Sequence, residues 1–219
     1  MRVLIFGATG MIGQCVLREA LADPGVTEVV SIGRNASGVQ HAKLRDLVQR
    51  DLHDYSSIEN ELTNFDACFF CLGVASAGMN EADYDRITRG IAVAAAGTLV
   101  RLNPQMTFVF ISGSGADSTE KGRIMWARVK GRAENEILRM PFKGAYVIRP
   151  AFVQPPPGIE SRTPLYRVMY KLFRPLFPLI RRFFPNAVTT GEQLGQAMLK
   201  ITRNGAPVRL LHTADVNRL

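Results

Sequence analysis

Cysteine is scarce and odd in number: Cys15, Cys68 and Cys71 are the only three in 219 residues. Cys68 and Cys71 fall inside the apolar run ACFFCL, which offers no exposed turn for a C-x-x-C redox or metal pair. All three read as core thiols in a reducing compartment, with no metal ligated. No apolar run reaches the roughly 20 residues of a membrane span, and Met1 runs straight into RVLIF with no charged n-region and small-residue cleavage site. A soluble, cytoplasmic protein is the expectation. Internal repeats and low-complexity tracts are also missing, apart from the turn QPPPG at 154–158. Tryptophan occurs once, as Trp126.

Positive charge is confined to one end. The net charge is +8, yet residues 1–160 carry 17 basic and 17 acidic side chains, and residues 161–219 carry ten basic ones against Glu192 and Asp215. Within that end, Arg167, Lys171 and Arg174 recur at helical steps, with Leu165, Met169, Leu172, Phe173 and Leu176 on other faces, until Pro175 and Pro178 break the pattern. The readings are a packed helix with a solvated basic stripe, a pocket-shaping lid over 154–190, a subunit contact, and a peripheral contact with an anionic membrane through 164–184. Nucleic acid is not expected, because no recognition motif or aromatic platform accompanies the charge.

Strand-like runs occur at 2–6, 28–32, 67–72, 107–112 and 145–149, with weaker ones at 46–52 and 208–212. Segments 11–22, 80–102, 123–140 and 191–203 suit helices. Near-continuous apolar strands alternating with helices imply a parallel sheet covered on both faces, an α/β doubly wound fold in one domain over 1–219. Residues 89–102 are apolar nearly all round, which suits core packing or a homodimer interface.

IFGATGMIG carries the first functional signal. A strand ends at Gly7, Gly10 and Gly13 follow at intervals of three, and a helix starts at Met11. Glycines at such a strand-to-helix turn let backbone N–H groups approach a diphosphate at the positive end of the helix, the arrangement of a Rossmann-type dinucleotide site. The other reading is a tight structural turn. The G-x-x-G-x-x-G spacing, with Thr9 before the second glycine, resembles the loop of the extended and atypical short-chain dehydrogenase/reductases. Within them the chain is most similar to the small NAD(P)H-binding branch that includes the human Tat-interacting protein and bacterial relatives. The resemblance runs from residue 2 to about residue 203.

After the second strand the sequence reads SIGRN, with Arg34 and no carboxylate to accept from a ribose 2′-hydroxyl. An arginine there suits a 2′-phosphate, so NADP(H) is favoured over NAD(H). The resemblance implies further cofactor contacts: Thr9, Met11 and Ile12 in the loop, Asp51 and Leu52 beside the adenine, Cys71, Leu72 and Gly73 against the adenosine ribose, and Pro150 near the nicotinamide. Asp51 capping a turn and Cys71 filling core are the plainer readings.

The same family uses a serine, a tyrosine and a lysine, the last two as Y-x-x-x-K. Ser114 and Lys130 match, and Trp126 replaces the tyrosine. A phenol can exchange a proton with a carbonyl oxygen, whereas an indole N–H donates a hydrogen bond and does not ionise in this range. Lys130 keeps the ability to bond ribose hydroxyls, and Ser114 the ability to orient a substrate oxygen. A bound water or Tyr84 is then the remaining source of a proton. The resemblance implies an oxidoreductase acting on a small apolar carbonyl or alcohol. The alternative is a non-catalytic redox sensor that retained the nucleotide site.

Overall fold

A computed structural model describes residues 1–159 and 186–219. The expectations placed on 164–184 lie outside those residues. Seven strands form the central sheet: β1 (Arg2–Phe6), β2 (Glu28–Gly33), β3 (Leu44–Val48), β4 (Ala67–Phe70), β5 (Thr107–Ile111), β6 (Gly144–Arg149) and β9 (Leu210–His212). Their order is β3-β2-β1-β4-β5-β6-β9, and every pairing is parallel. The chain builds outward from β1 to β3, then crosses to β4 and builds the other way. The carboxyl ends of β1 and β4 therefore flank the point where strand order reverses, the usual ligand crevice of such sheets. Two short strands, β7 (Phe152–Gln154) and β8 (Val188–Thr190), pair separately.

Alternation along the strands divides the core. Leu4, Phe6, Cys68, Phe70, Phe108 and Phe110 face one way, while Val3, Ile5, Ala67, Phe69, Val109 and Ile111 face the other. The first face is covered by α3 (Ile91–Leu102) and α4 (Met125–Arg139) through Ala92, Ala96, Leu99, Ala133 and Ile137. α1 (Met11–Ala22) and α5 (Gly191–Asn204) cover the second through Val16, Ala20, Leu194 and Met198. α5 opens on a capping box, in which Thr190 accepts the Gln193 N–H and Gln193 accepts the Thr190 N–H. The short α6 (Thr213–Val216) follows β9. The phenylalanines of the first face are in ring contact, with Phe6 and Phe70 stacked at 5.2 Å and Phe70 and Phe110 5.8 Å apart.

Three segments differ from their sequence expectation. The strand expected over 46–52 is β3 at Leu44–Val48: the Gln49 N–H makes the last ladder bond, to the Gly33 carbonyl at 3.0 Å, and Asp51 and Leu52 lie in the loop that follows. The helix expected over 80–102 is α2 (Glu81–Asp85), a π-helical turn over Arg86–Gly90, and then α3. The all-round apolar face of that last helix is covered on one side. Ile91, Ala92, Ala95, Ala96 and Leu99 are buried, whereas Val93, Ala94 and Val100 are half-buried and Gly97 is exposed.

Candidate functional site

The glycine loop sits at the strand-order reversal. Gly7 has φ +78, in the left-handed region, and a Cβ there would stand 2.7 Å from the Leu72 backbone nitrogen. β1 thus turns directly against the backbone that leaves β4. A Cβ at Gly13 would overlap the Gly7 carbonyl oxygen, so only glycine lets α1 settle on the turn. Gly10 is the N-cap of α1, and it brings no side-chain acceptor to the helix end. The N–H groups of Met11, Ile12 and Gly13 lack intrahelical acceptors and open toward the crevice, at the positive end of the helix dipole. Gln14 braces the loop by donating to the Thr9 carbonyl at 3.1 Å.

The expected adenosine residues divide by burial. Arg34 is exposed, one residue past β2. Asp51 is also exposed, and its Oδ1 accepts the His53 N–H at 2.8 Å. Leu52 is buried with Tyr55 in the core on the first face. Cys71 and Leu72 are half-buried and Gly73 is exposed, at the end of β4. Burial pushes the Cys71 thiol well above its ordinary range, with Cys15 adding to the effect, and burial raises Cys15 to about 11. All three cysteines are free.

α4 and the loop before it carry the remaining residues. Trp126 and Lys130 are one helical turn apart, as the spacing implies, but they are not a surface pair: Lys130 is only 8% exposed. Its Nζ stands 5.3 Å from the Phe110 ring centroid and 3.9 Å from where a Cβ on Gly73 would lie. Burial lowers the Lys130 ammonium to about 8, with the nearby Glu134 charge acting in the opposite sense. Trp126 is half-buried beneath the 113–115 loop, and a Cβ on Gly115 would come within 3.3 Å of its ring. Ser114 is exposed at the top of that loop, and its N–H donates to the carbonyl of the buried Pro150 at 3.0 Å. The Ser112 hydroxyl is buried, with no hydrogen-bond partner among the described residues. The structure therefore brings Ser114, Trp126, Lys130, Gly73 and Pro150 to one end of β4, β5 and β6.

One participant went unnoticed in the sequence. Glu134, fully buried on α4, pairs with Arg149 at the end of β6, whose Nε donates to its two oxygens at 3.0 and 3.1 Å. Arg149 also donates to the Ser118 hydroxyl at 2.6 Å, joining β6, α4 and the Ser114 loop. A signal existed, since Glu134 falls on the buried face of α4 with Ala127, Lys130 and Ile137. A carboxylate on that face requires a buried partner.

Comparison with known proteins gives this geometry a class. A family model described as NAD(P)H-binding matches residues 7–149. The chain belongs to this NAD(P)H-binding family. Its relatives include "Protein fmp52-1, mitochondrial" of Aspergillus terreus, 33% identical over 157 residues, a match spanning 69% of this chain and 66% of that protein. "Protein FMP52-2, mitochondrial" of Scheffersomyces stipitis is 25% identical, over 93% of this chain and 87% of its own length. The solved enzyme WbmF of Bordetella bronchiseptica, in complex with NAD+, superposes with TM-score 0.69 at 13% identity, over 99% of this chain and 76% of that one. A short chain dehydrogenase family protein from Francisella tularensis gives 0.66 at 15% identity, over 93% and 91%. At those identities the likeness establishes the fold. The finer likeness to the human Tat-interacting protein is not shown by these matches.

The expectation of a cytoplasmic protein is corrected here, because these curated relatives are named mitochondrial. Its basis was the lack of a secretory signal and of a membrane span. Those features do not separate one compartment from another.

Proposed function

We propose that the chain binds NADP(H) in the crevice between β1 and β4 and transfers hydride between the nicotinamide and a small carbonyl or alcohol. The observation that carries this reading is the Gly7–Gly13 turn, which presents three N–H groups at the start of α1 where side chains cannot intrude. When bound, the dinucleotide supplies the hydride chemistry. The chain's own groups hold and orient it: the α1 terminus at the diphosphate, Lys130 at the ribose hydroxyls, and Ser114 at the substrate oxygen. Arg34, exposed and without a neighbouring carboxylate on its strand end, supports the phosphorylated cofactor. The exposed apolar residues Val74, Ile124 and Phe152, which follow the ends of β4, precede α4 and follow β6, support an apolar substrate. The relatives' names favour a mitochondrial location.

Titrating the fluorescence of the single tryptophan with NADPH and NADH tests the binding. Quenching by both, at lower NADPH concentration, is expected; no response to either would remove Trp126 from the cofactor site, and tighter NADH binding would overturn the role given to Arg34. A second reading, a cofactor-responsive binding protein without turnover, is favoured by one observation, the indole at position 126. Native protein that reduces a panel of aldehydes and ketones with NADPH would exclude it.

A further inference from the structure

With an indole at position 126, the source of the proton is a question about the groups buried around it. Lys130 and Glu134 stand at i and i+4 on α4, the spacing at which an ammonium and a carboxylate ordinarily pair. They do not pair. Both oxygens of Glu134 accept from Arg149, whose guanidinium fork matches a carboxylate in a way that a lysine does not. Among the described residues no hydrogen bond or ion pair reaches Lys130 Nζ, which lies over the Phe110 ring.

Among the described residues, the surrounding elements supply no substitute anion. Asp85 and Arg89 on the neighbouring helix, with Arg132 and Glu136 on α4, are joined by ion pairs of 2.8 to 3.1 Å, and Arg128 bonds Glu81. Tyr84 is buried on α2. β5 brings Phe110, the residue after the strand is the uncharged Ser112, and the end of β4 brings Cys71, which burial keeps as a neutral thiol. Lys130 is thus a desolvated amine without a counter-charge in contact, the condition under which a lysine exchanges its proton near neutral pH.

We infer that Arg149, by occupying both oxygens of Glu134, keeps Lys130 unpaired, and that Lys130 takes over the proton transfer a phenol would perform. The inference rests on the hydride-transfer reading above. In the reductive direction the substrate's carbonyl carbon receives hydride from the nicotinamide, and its oxygen takes up the π pair. That oxygen then bonds a proton from the Lys130 ammonium as an N–H bond breaks. The products are an alcohol, the oxidised dinucleotide and a neutral amine, which solvent reprotonates. Arg149 and Glu134 act here as positioning residues.

Titration of Lys130 itself, followed by NMR on the cofactor-free protein after reductive 13C-methylation and assigned by Lys130→Arg, gives a readout independent of activity. The native midpoint is expected near 8, and Arg149→Gln, which releases Glu134, should move it upward toward the ordinary lysine value. If the lone buried carboxylate prevents Arg149→Gln from folding, the neutral pair Glu134→Gln with Arg149→Gln is expected to fold and to keep the midpoint at or below the native one. A native midpoint in the ordinary lysine range, or one unmoved in Arg149→Gln and raised in the neutral pair, would overturn the inference. In the kinetic arm, NADPH-dependent reduction should fall as pH rises through about 8. Lys130→Arg should lose roughly 100-fold or more in turnover. Undiminished turnover in Lys130→Arg, or native protein that binds dinucleotide and reduces nothing, would overturn the proton role while leaving the binding reading intact. Absence of dinucleotide binding would instead sink the function reading.

Discussion

Trp126 is the residue on which activity and mere binding part company. Its ring lies under the Gly113–Gly115 segment, one turn from Lys130, so a tyrosine at the same position would set a phenol near a buried ammonium. Trp126→Tyr is expected to raise the rate of NADPH-dependent carbonyl reduction by about 10² or more, the usual contribution of a positioned acid, measured as steady-state turnover. An unchanged rate would show that proton supply does not limit the native site. Gly13 offers a structural counterpart. Adding one methyl there drives it into the Gly7 carbonyl, so Gly13→Ala should cost about 1–3 kcal/mol in urea unfolding and weaken dinucleotide binding. Arg34, exposed and outside the packing, should be replaceable without loss of stability. Arg34→Asp is expected to reverse the order of NADPH and NADH affinities in a fluorescence titration.

At the level of elements, the covering of the sheet's first face depends on two contrasting contacts. Rings provide one. Phe70 touches Phe6, Phe108 and Phe110, so Phe70→Ala should destabilise the protein by about 3–5 kcal/mol in urea. Charges provide the other, because Glu81 on α2 bonds both Arg128 and Arg132 on α4. Those side-chain hydrogen bonds, Arg128 first, hold the Glu81 carboxyl at about 2, below its ordinary 4.5. The folded state therefore releases this proton more readily than the unfolded chain. The contribution is fully present above about 4.5 and disappears as pH falls toward 2. Glu81→Gln should lower the melting temperature at pH 7 and make it less sensitive to acid over that window. An unaltered pH dependence in the variant would remove Glu81 from the account.

Over the whole molecule, what could be read from the sequence was local or periodic. Apolar runs at 2–6, 107–112 and 145–149 correspond to β1, β5 and β6 within a residue or two, because strands buried on both faces write continuous hydrophobic segments. The glycine loop was legible for a related reason, since Gly7 and Gly13 each answer a backbone constraint within a seven-residue span. Contacts between distant segments left no such trace. Arg149 and Glu134 are 15 residues apart on different elements, and only the fold makes them partners. The π-helical turn at Arg86–Gly90 has no marker in RITRG, and the end of β3 at Val48 has none in DLVQRDL. The central claim, a dinucleotide diphosphate seated on the N-terminus of α1, meets its most direct test in crystals grown with NADPH. Diphosphate oxygens within hydrogen-bonding distance of the N–H groups of Met11, Ile12 and Gly13 are expected. A dinucleotide bound elsewhere, or a crevice still empty at saturating NADPH, would contradict it.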